Sequence, residues 1–200
     1  MRFMMLVTNL VVVNVLWLLC CIPVITAGAS TVAMHTVLLR HITGKDDAVF
    51  KPFFRAFKEN FLQATVLWIP TLLIGAVMAA EIVYLSVGSQ TWLKVIFGIL
   101  LFLYGAAISY LYPLVARYQN TSRAALFNSF ALAIRHLFTS VCVVTLNALP
   151  VVLLVAFPDI LWNTKLVWTL IGFSLTAYLI LKILLPVFRQ YEDSEEENCG

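Results

Sequence analysis

The stretch CCIPVITAGAS, residues 20–30, closes the first apolar run of the chain, and its reading fixes the topology of everything after it. Two interpretations compete. Ala27-Gly28-Ala29 has the small-x-small form of a signal-peptide cleavage site, with the cut after Ala29. Alternatively, the stretch is where a retained membrane helix turns. Charge decides between them, because short cytoplasmic connections of membrane proteins carry an excess of Lys and Arg. Segment 26–60 holds Arg40, Lys45, Lys51, Arg55 and Lys58, segment 116–137 holds Arg117, Arg123 and Arg135, and the C-terminal end adds Lys182 and Arg189. Ten of the thirteen basic residues thus fall on one side, against Arg2, Lys94 and Lys165 on the other. A signal peptide would deliver the five-charge segment to the outside. Its apolar core would also be shorter than the run beginning at Met4, and that run is interrupted by Asn9 and Asn14. The first run therefore reads as a retained span.

Composition agrees. A chain of 200 residues with 62% hydrophobic and 12% charged side chains cannot cover its own surface with polar groups in water. Crossing about 30 Å of hydrocarbon takes roughly 20 apolar residues, and such runs occur at about 4–25, 61–85, 92–115, 138–157 and 166–188. The predicted fold class is all-α: a polytopic membrane protein with five transmembrane helices in one integral domain, residues 1–191, and an acidic disordered tail, 192–200. With the basic segments inside, the N-terminus lies outside and the C-terminus in the cytoplasm. The spans leave no room for a separate soluble catalytic or nucleotide-binding domain. The formal charge of +3 is too small and scattered for nucleic-acid binding. The four cysteines form no disulfide framework, so reduced thiols are expected.

Within the opening stretch, Pro23 cannot donate to a helix ladder and disfavours helical geometry at Ile22, so the first span is expected to end or kink there. Gly28 lets the backbone turn, and Thr26 or Ser30 is expected to cap the next helix. Two interfacial helices should follow on the cytoplasmic side. The first, Thr31–Thr43, sets Val32, Val37, Leu38, Leu39 and Ile42 against His35, Arg40 and His41, with Gly44 as its stop. The second places Phe50, Phe53, Phe54, Phe57 and Phe61 on one side and Lys51, Arg55 and Lys58 on the other, with Pro52 in its first turn. The second long connection repeats the plan, with Leu126, Phe127, Phe130, Ile134, Leu137 and Phe138 beyond a cap at Thr121 or Ser122. Such faces serve either packing beneath a bundle or binding of lipid or a partner. The candidate face is Phe53, Phe54, Phe57, Arg55, Lys58, Phe127 and Phe130. The parallel between residues 4–85 and 92–157 suggests a weak duplication followed by a lone fifth span.

Few groups could carry chemistry. Glu81 is the single carboxylate inside a predicted span, where it either snorkels to headgroup water or serves a solute. Asn14 and Asn147 either join helices by hydrogen bonds or contact a polar solute, and Asn9 shares that choice. Pro70 and Pro150 are expected to kink their spans, and Gly105 with Ser109 is a small-xxx-small pair suited to close helix approach. His35, His41 and His136 fit no metal-binding spacing. No glycine-rich phosphate loop and no nucleophile with its base is present, so no catalytic residue, metal or cofactor is expected.

The ordered set NVLWLLCCIPVITAGAS, FFRAFKENFLQAT and YPLVARYQN followed by LAIRHL resembles the YesL family of bacterial integral membrane proteins. The resemblance covers nearly the whole chain. It implies a location in the bacterial cytoplasmic membrane and an association with carbohydrate uptake or polysaccharide use. The expected function is a non-catalytic accessory subunit whose partners are the lipid bilayer and a sugar transporter permease or another membrane protein. A small secondary transporter or channel is the alternative, and an intramembrane enzyme a distant third.

Overall fold

The computed structural model describes residues 2–44, 48–86, 91–118, 121–156 and 167–199. Among the described residues eight α-helices follow one another: α1 (Arg2–Cys21), α2 (Ala27–Ile42), α3 (Phe50–Glu59), α4 (Phe61–Ser86), α5 (Thr91–Arg117), α6 (Ser122–Arg135), α7 (Leu137–Ala156) and α8 (Phe173–Cys199). A 3-10 turn, Val24–Thr26, precedes α2, and a π-helical turn, Trp168–Gly172, leads into α8. No strand occurs among the described residues. The protein is an all-α, multi-pass membrane protein. Met4–Cys21, Phe61–Ile82, Thr91–Arg117 and Thr169–Glu192 are each long and apolar enough to cross a bilayer. The expected span at 138–157 corresponds to α7, but its described part reaches that standard only together with α6, from which it is bent by 107°. Among the described residues the count is four, or five if that broken pair is one span. Lys45, Lys165 and the span ends expected at Phe157 and Leu166 lie outside the described residues.

The opening stretch is a helical turn at which the chain doubles back. Pro23 ends α1 at Cys21, four residues before the expected Ile25, and α2 returns antiparallel along α1. Trp17 Nε1 donates to Thr31 Oγ1 at 3.1 Å, and Ser30 Oγ donates to the Trp17 carbonyl at 3.0 Å. Further along, Leu6, Leu10 and Val13 face Val37, Leu38 and His41. Neither expected cap acts as one: the Thr26 hydroxyl donates back to the carbonyls of Cys20 and Pro23, and Ser30 is committed to α1. Gly28 is needed for packing as well as turning. A Cβ there would lie 2.6 Å from Trp68 Cβ and 2.7 Å from the Ala64 carbonyl oxygen, so α4 crosses directly over it.

This overturns one expectation. α2 does not lie on a surface; it is the hub of the bundle, touching α1, α3, α4, α5 and α8. Ala29, Val32, Ala33, Val37 and Leu38 are buried on successive faces, and so is His35, which had been assigned to a polar face. Gly, Ala and Ser at 27–30 keep the helix narrow enough for neighbours on every side. α3 docks on α2 through Phe53, which is wholly buried, and Ala56. Burial of that ring contributes about 2–3 kcal/mol.

Three buried clusters make the core. One joins α1, α2, α3 and α8, a second α5, α6, α7 and α8, and a third α2, α4, α5 and α6. Pro70, Pro113 and Pro186 all lie inside continuous helices. Around Pro70, Thr71 Oγ1 bonds the Leu67 and Trp68 carbonyls, and the Tyr104 hydroxyl donates to the Thr71 carbonyl. These hydroxyls brace α4 on either side of the proline. The side chain of Pro150 lies outside the described residues. At the C-terminus α8 continues to Cys199 and carries the acidic end of the chain. Its first acidic residue, Glu192, is tied to Arg117, which extends the ordered helix past the span.

Candidate functional site

Asn14 is fully buried and its carboxamide is inserted into the backbone of the last span. Nδ2 donates to the Thr169 carbonyl at 2.6 Å, and Oδ1 accepts from the Ser174 amide at 2.9 Å. These two backbone groups stand five residues apart, the spacing a regular α-helix does not join. The inserted side chain accounts for the π-helical turn at 168–172. Ser174 Oγ completes the junction by donating to the carbonyls of Leu10 and Ile171. Asn14 is therefore placed as a clamp between α1 and α8.

Asn147 is exposed on α7 and donates to Ser109 Oγ on α5 at 2.8 Å; Ser109 in turn donates to the Gly105 carbonyl. A Cβ on Gly105 would meet Val144 at an ordinary 3.9 Å. Glu81 is exposed on α4 and meets no second polar group among the described residues. The structure brings none of Glu81, Asn14 and Asn147 together.

The basic and aromatic positions divide. Phe53 points into the core and Phe57 is half-buried against it, so neither belongs to an open face; this corrects the expected surface. Their places on the α2-facing side of α3 follow from α2 being internal. Phe54 remains exposed, Arg55 Nε pairs with Glu59 Oε1 at 2.8 Å on the exposed side, and Lys58 is exposed. On α6 and the start of α7, Phe127, Phe130 and Phe138 are all exposed, Phe127 by 76% and Phe138 by 85%. Thr121 caps α6, as expected, by accepting from the Ala124 amide at 3.4 Å.

The histidines are dispersed. His35 Nδ1 donates to the Thr31 carbonyl at 2.8 Å, and burial lowers its pKa to about 4. His41 borders a small cleft between α1 and α2, and His136 Nε2 lies 3.3 Å from the Tyr191 hydroxyl. Among the described residues no group of three or more His, Cys, Asp or Glu could hold a metal. Cys20, Cys21 and Cys142 are free thiols.

A constellation that the sequence reading did not assemble lies where α5, α6 and α8 meet. Glu192 accepts from Arg117 through both oxygens, at 2.9 and 2.8 Å, and from the Tyr118 hydroxyl at 2.7 Å. Burial, with the Glu192 carboxylate beside it, pushes the Tyr118 phenol up to about 12. Arg135 stands 5.9 Å over the Tyr191 ring and donates to its hydroxyl at 3.5 Å. Between them opens a cavity of about 320 Å³ whose walls include Tyr118, Phe188, Tyr191, Asn128 and Arg135. The signal was present in the sequence as two short words, Arg117-Tyr118 and Tyr191-Glu192, at the ends of two runs expected on one side. Nothing in either word identifies the other as its partner.

Residues 10–82 match a family model described as "Protein of unknown function, DUF624". No curated protein and no solved structure matches the chain. The matched segment runs from α1 through the turn, α2 and α3 to α4, and stops short of the cavity. That part of the chain is similar to an uncharacterised family.

Proposed function

We propose that this multi-pass protein is a non-catalytic accessory subunit of a bacterial carbohydrate-uptake or polysaccharide-use system, seated in the cytoplasmic membrane with its N-terminus outside and its C-terminus inside. The observation that carries the non-transport, non-enzyme part is how the polar side chains of the long helices are used. Asn14 and Ser174 join α1 to α8, Thr71 and Tyr104 join α4 to α5, and Asn147 joins Ser109 across α5 and α7. Groups that hold helices together do not line a solute path or form a reacting constellation. Exposed aromatic and basic side chains gather instead on α3 and α6, two of the helices that are not spans by themselves. The carbohydrate setting rests on the resemblance to the YesL family, and the orientation on the side where ten of the thirteen basic residues fall. A sugar transporter permease is the partner this reading favours.

Purification of the full chain in mild detergent from its own membrane, with identification of co-purifying proteins, tests the proposal. A permease is expected to be captured, and capture should fall when Phe54, Phe127 and Phe130 are replaced by Ala. Specific capture of no membrane protein, or capture indifferent to these positions at equal abundance, overturns it. The second reading, a small secondary transporter, gives Glu81 a coupling role. Transport by the purified chain in vesicles, lost in Glu81→Gln, would establish that reading instead.

A further inference from the structure

The α5–α6–α8 cavity has the makings of an anion site. Its volume of about 320 Å³ is at the small end of ligand pockets, roughly 300–1,000 Å³. The charges around it are already sorted. Glu192 is engaged by three donors from Arg117 and Tyr118, so neither that carboxylate nor the Arg117 guanidinium remains uncompensated. Arg135 is different. It reaches the cavity wall, it meets the ring and hydroxyl of Tyr191, and no carboxylate pairs with it among the described residues. Arg189 lies close enough to act on Glu192. Apolar and aromatic walls, Leu132, Phe188 and the Tyr118 and Tyr191 rings, line the cavity together with the Glu192 carboxylate and the Asn128 amide, and Arg135, itself exposed to solvent, borders it. A guanidinium in such a setting matches a phosphate, whose oxygens take its parallel N–H groups two at a time.

We propose that the cavity between α5, α6 and α8 binds a phosphate ester carrying a small organic group, with Arg135 holding the phosphate, Asn128 bonding the ester or a hydroxyl, and the aromatic walls packing the remainder. The ester comes either from a phospholipid headgroup, since the adjacent Phe127, Phe130 and Phe138 present an apolar surface suited to lipid, or from a soluble metabolite. The site goes beyond the subunit reading and does not depend on it.

The test uses the full chain in mild detergent and in nanodiscs. In detergent, glycerol 3-phosphate is titrated against glycerol while the melting temperature and the heat of binding are followed. In nanodiscs, melting is compared between phosphatidylcholine alone and phosphatidylcholine with phosphatidylglycerol. A saturable response to glycerol 3-phosphate marks a soluble ester, and a response to phosphatidylglycerol alone marks a lipid headgroup; either supports the site. Arg135→Ala should weaken the responding probe at least tenfold, about 1.4 kcal/mol, whereas Arg123→Ala, on α6 but outside the cavity, should leave it within twofold. If Arg135→Ala does not fold, Arg135→Gln and Asn128→Ala serve in its place and should each weaken the probe. No saturable response in either arm, an unchanged affinity in these cavity variants, or an equal loss in Arg123→Ala overturns the proposal.

Discussion

Replacing Asn14 with Leu should separate α1 from the start of α8. Leucine has the branched shape of asparagine but is larger, so no cavity is left and the loss is one of hydrogen bonding with some overpacking added. Two bonds disappear, Nδ2 to the Thr169 carbonyl at 2.6 Å and Oδ1 from the Ser174 amide at 2.9 Å. A net buried hydrogen bond contributes about 1 kcal/mol, and a buried group left without a partner costs about 1–3 kcal/mol. Inter-helix hydrogen bonds in membrane proteins average about 0.6 kcal/mol, which sets the lower limit. The expected loss is therefore about 1–4 kcal/mol. The helix cannot escape it by closing the π-helical turn, because a one-residue shift turns the downstream helix by about 100°. That rotation would carry Ala177, Leu181 and Leu185 out of the core shared with α1 and α2. For a chain of this size, each kcal/mol lowers the melting temperature by about 2–4 °C. Thermal unfolding in detergent, read with a dye that reacts with the free thiols Cys20, Cys21 and Cys142, should show a fall of several degrees. Asn147→Leu removes one bond, at an exposed position, and should cost less than half as much. An Asn14→Leu protein that melts with the parent refutes the clamp.

Gly28→Ala should destabilise by about 1–3 kcal/mol, because its Cβ meets Trp68 Cβ at 2.6 Å and backbone at 2.7 Å, whereas Gly105→Ala, with 3.9 Å to spare, should be neutral in the same melting assay. His35 is held neutral by burial with a pKa of about 4, below the unfolded value near 6.5. The unfolded chain therefore binds more protons between those limits, and stability should fall as pH drops from about 6.5 to 4, by at most about 1.4 kcal/mol per pH unit, then level off. Melting temperatures of the parent and His35→Gln across that range measure this: the His35-dependent part of the slope should vanish in the variant. Arg117→Lys should not replace Arg117, since a lysine cannot bond both Glu192 oxygens. With the Glu192 side chain 39% exposed, the loss should be no more than about 1 kcal/mol and should shrink in high salt.

The spans were legible because a run of some twenty apolar residues has few other uses, and Gly44 as a helix stop and Thr121 as a cap were legible from local chemistry alone. Gly44 does sit at φ 68°. The hub was not. From Thr31 onward α2 shows a polar side made of His35, Arg40 and His41, and periodicity assigns that side to water. The small residues just before it, Ala27 to Ser30, were taken for a turn when they are the narrow part of a helix crossed by Trp68 and Ala64. For the same reason Phe53 was assigned to an open face, since a stripe of Phe looks alike whether lipid or another helix covers it. Asn14 illustrates a different limit: its type suggested helix bonding, but its partners are backbone groups 155 and 160 residues away. Arg117 and Glu192, 75 residues apart, are joined only by the parallel course of α5 and α8.

The burial of α2 bears on what the matched segment can be. Residues 10–82 include α2 and three of the helices around it, yet Val32 shares its cluster with Leu111, Tyr112 and Val115 of α5, and Met34 and Val37 share theirs with Leu181 and Leu185 of α8. Without α5 and α8, the hub would present Val32, Met34 and Val37 to lipid or water. The Asn14 carboxamide would likewise lose both of its partners. The segment is therefore the inner part of one packing unit and not a domain that folds alone. α5 and α8, which complete the hub on one side, meet α6 at the α5–α6–α8 cavity on the other, so the same two helices that bury Val32 and Val37 also set the distance between Tyr118, Arg135 and Tyr191.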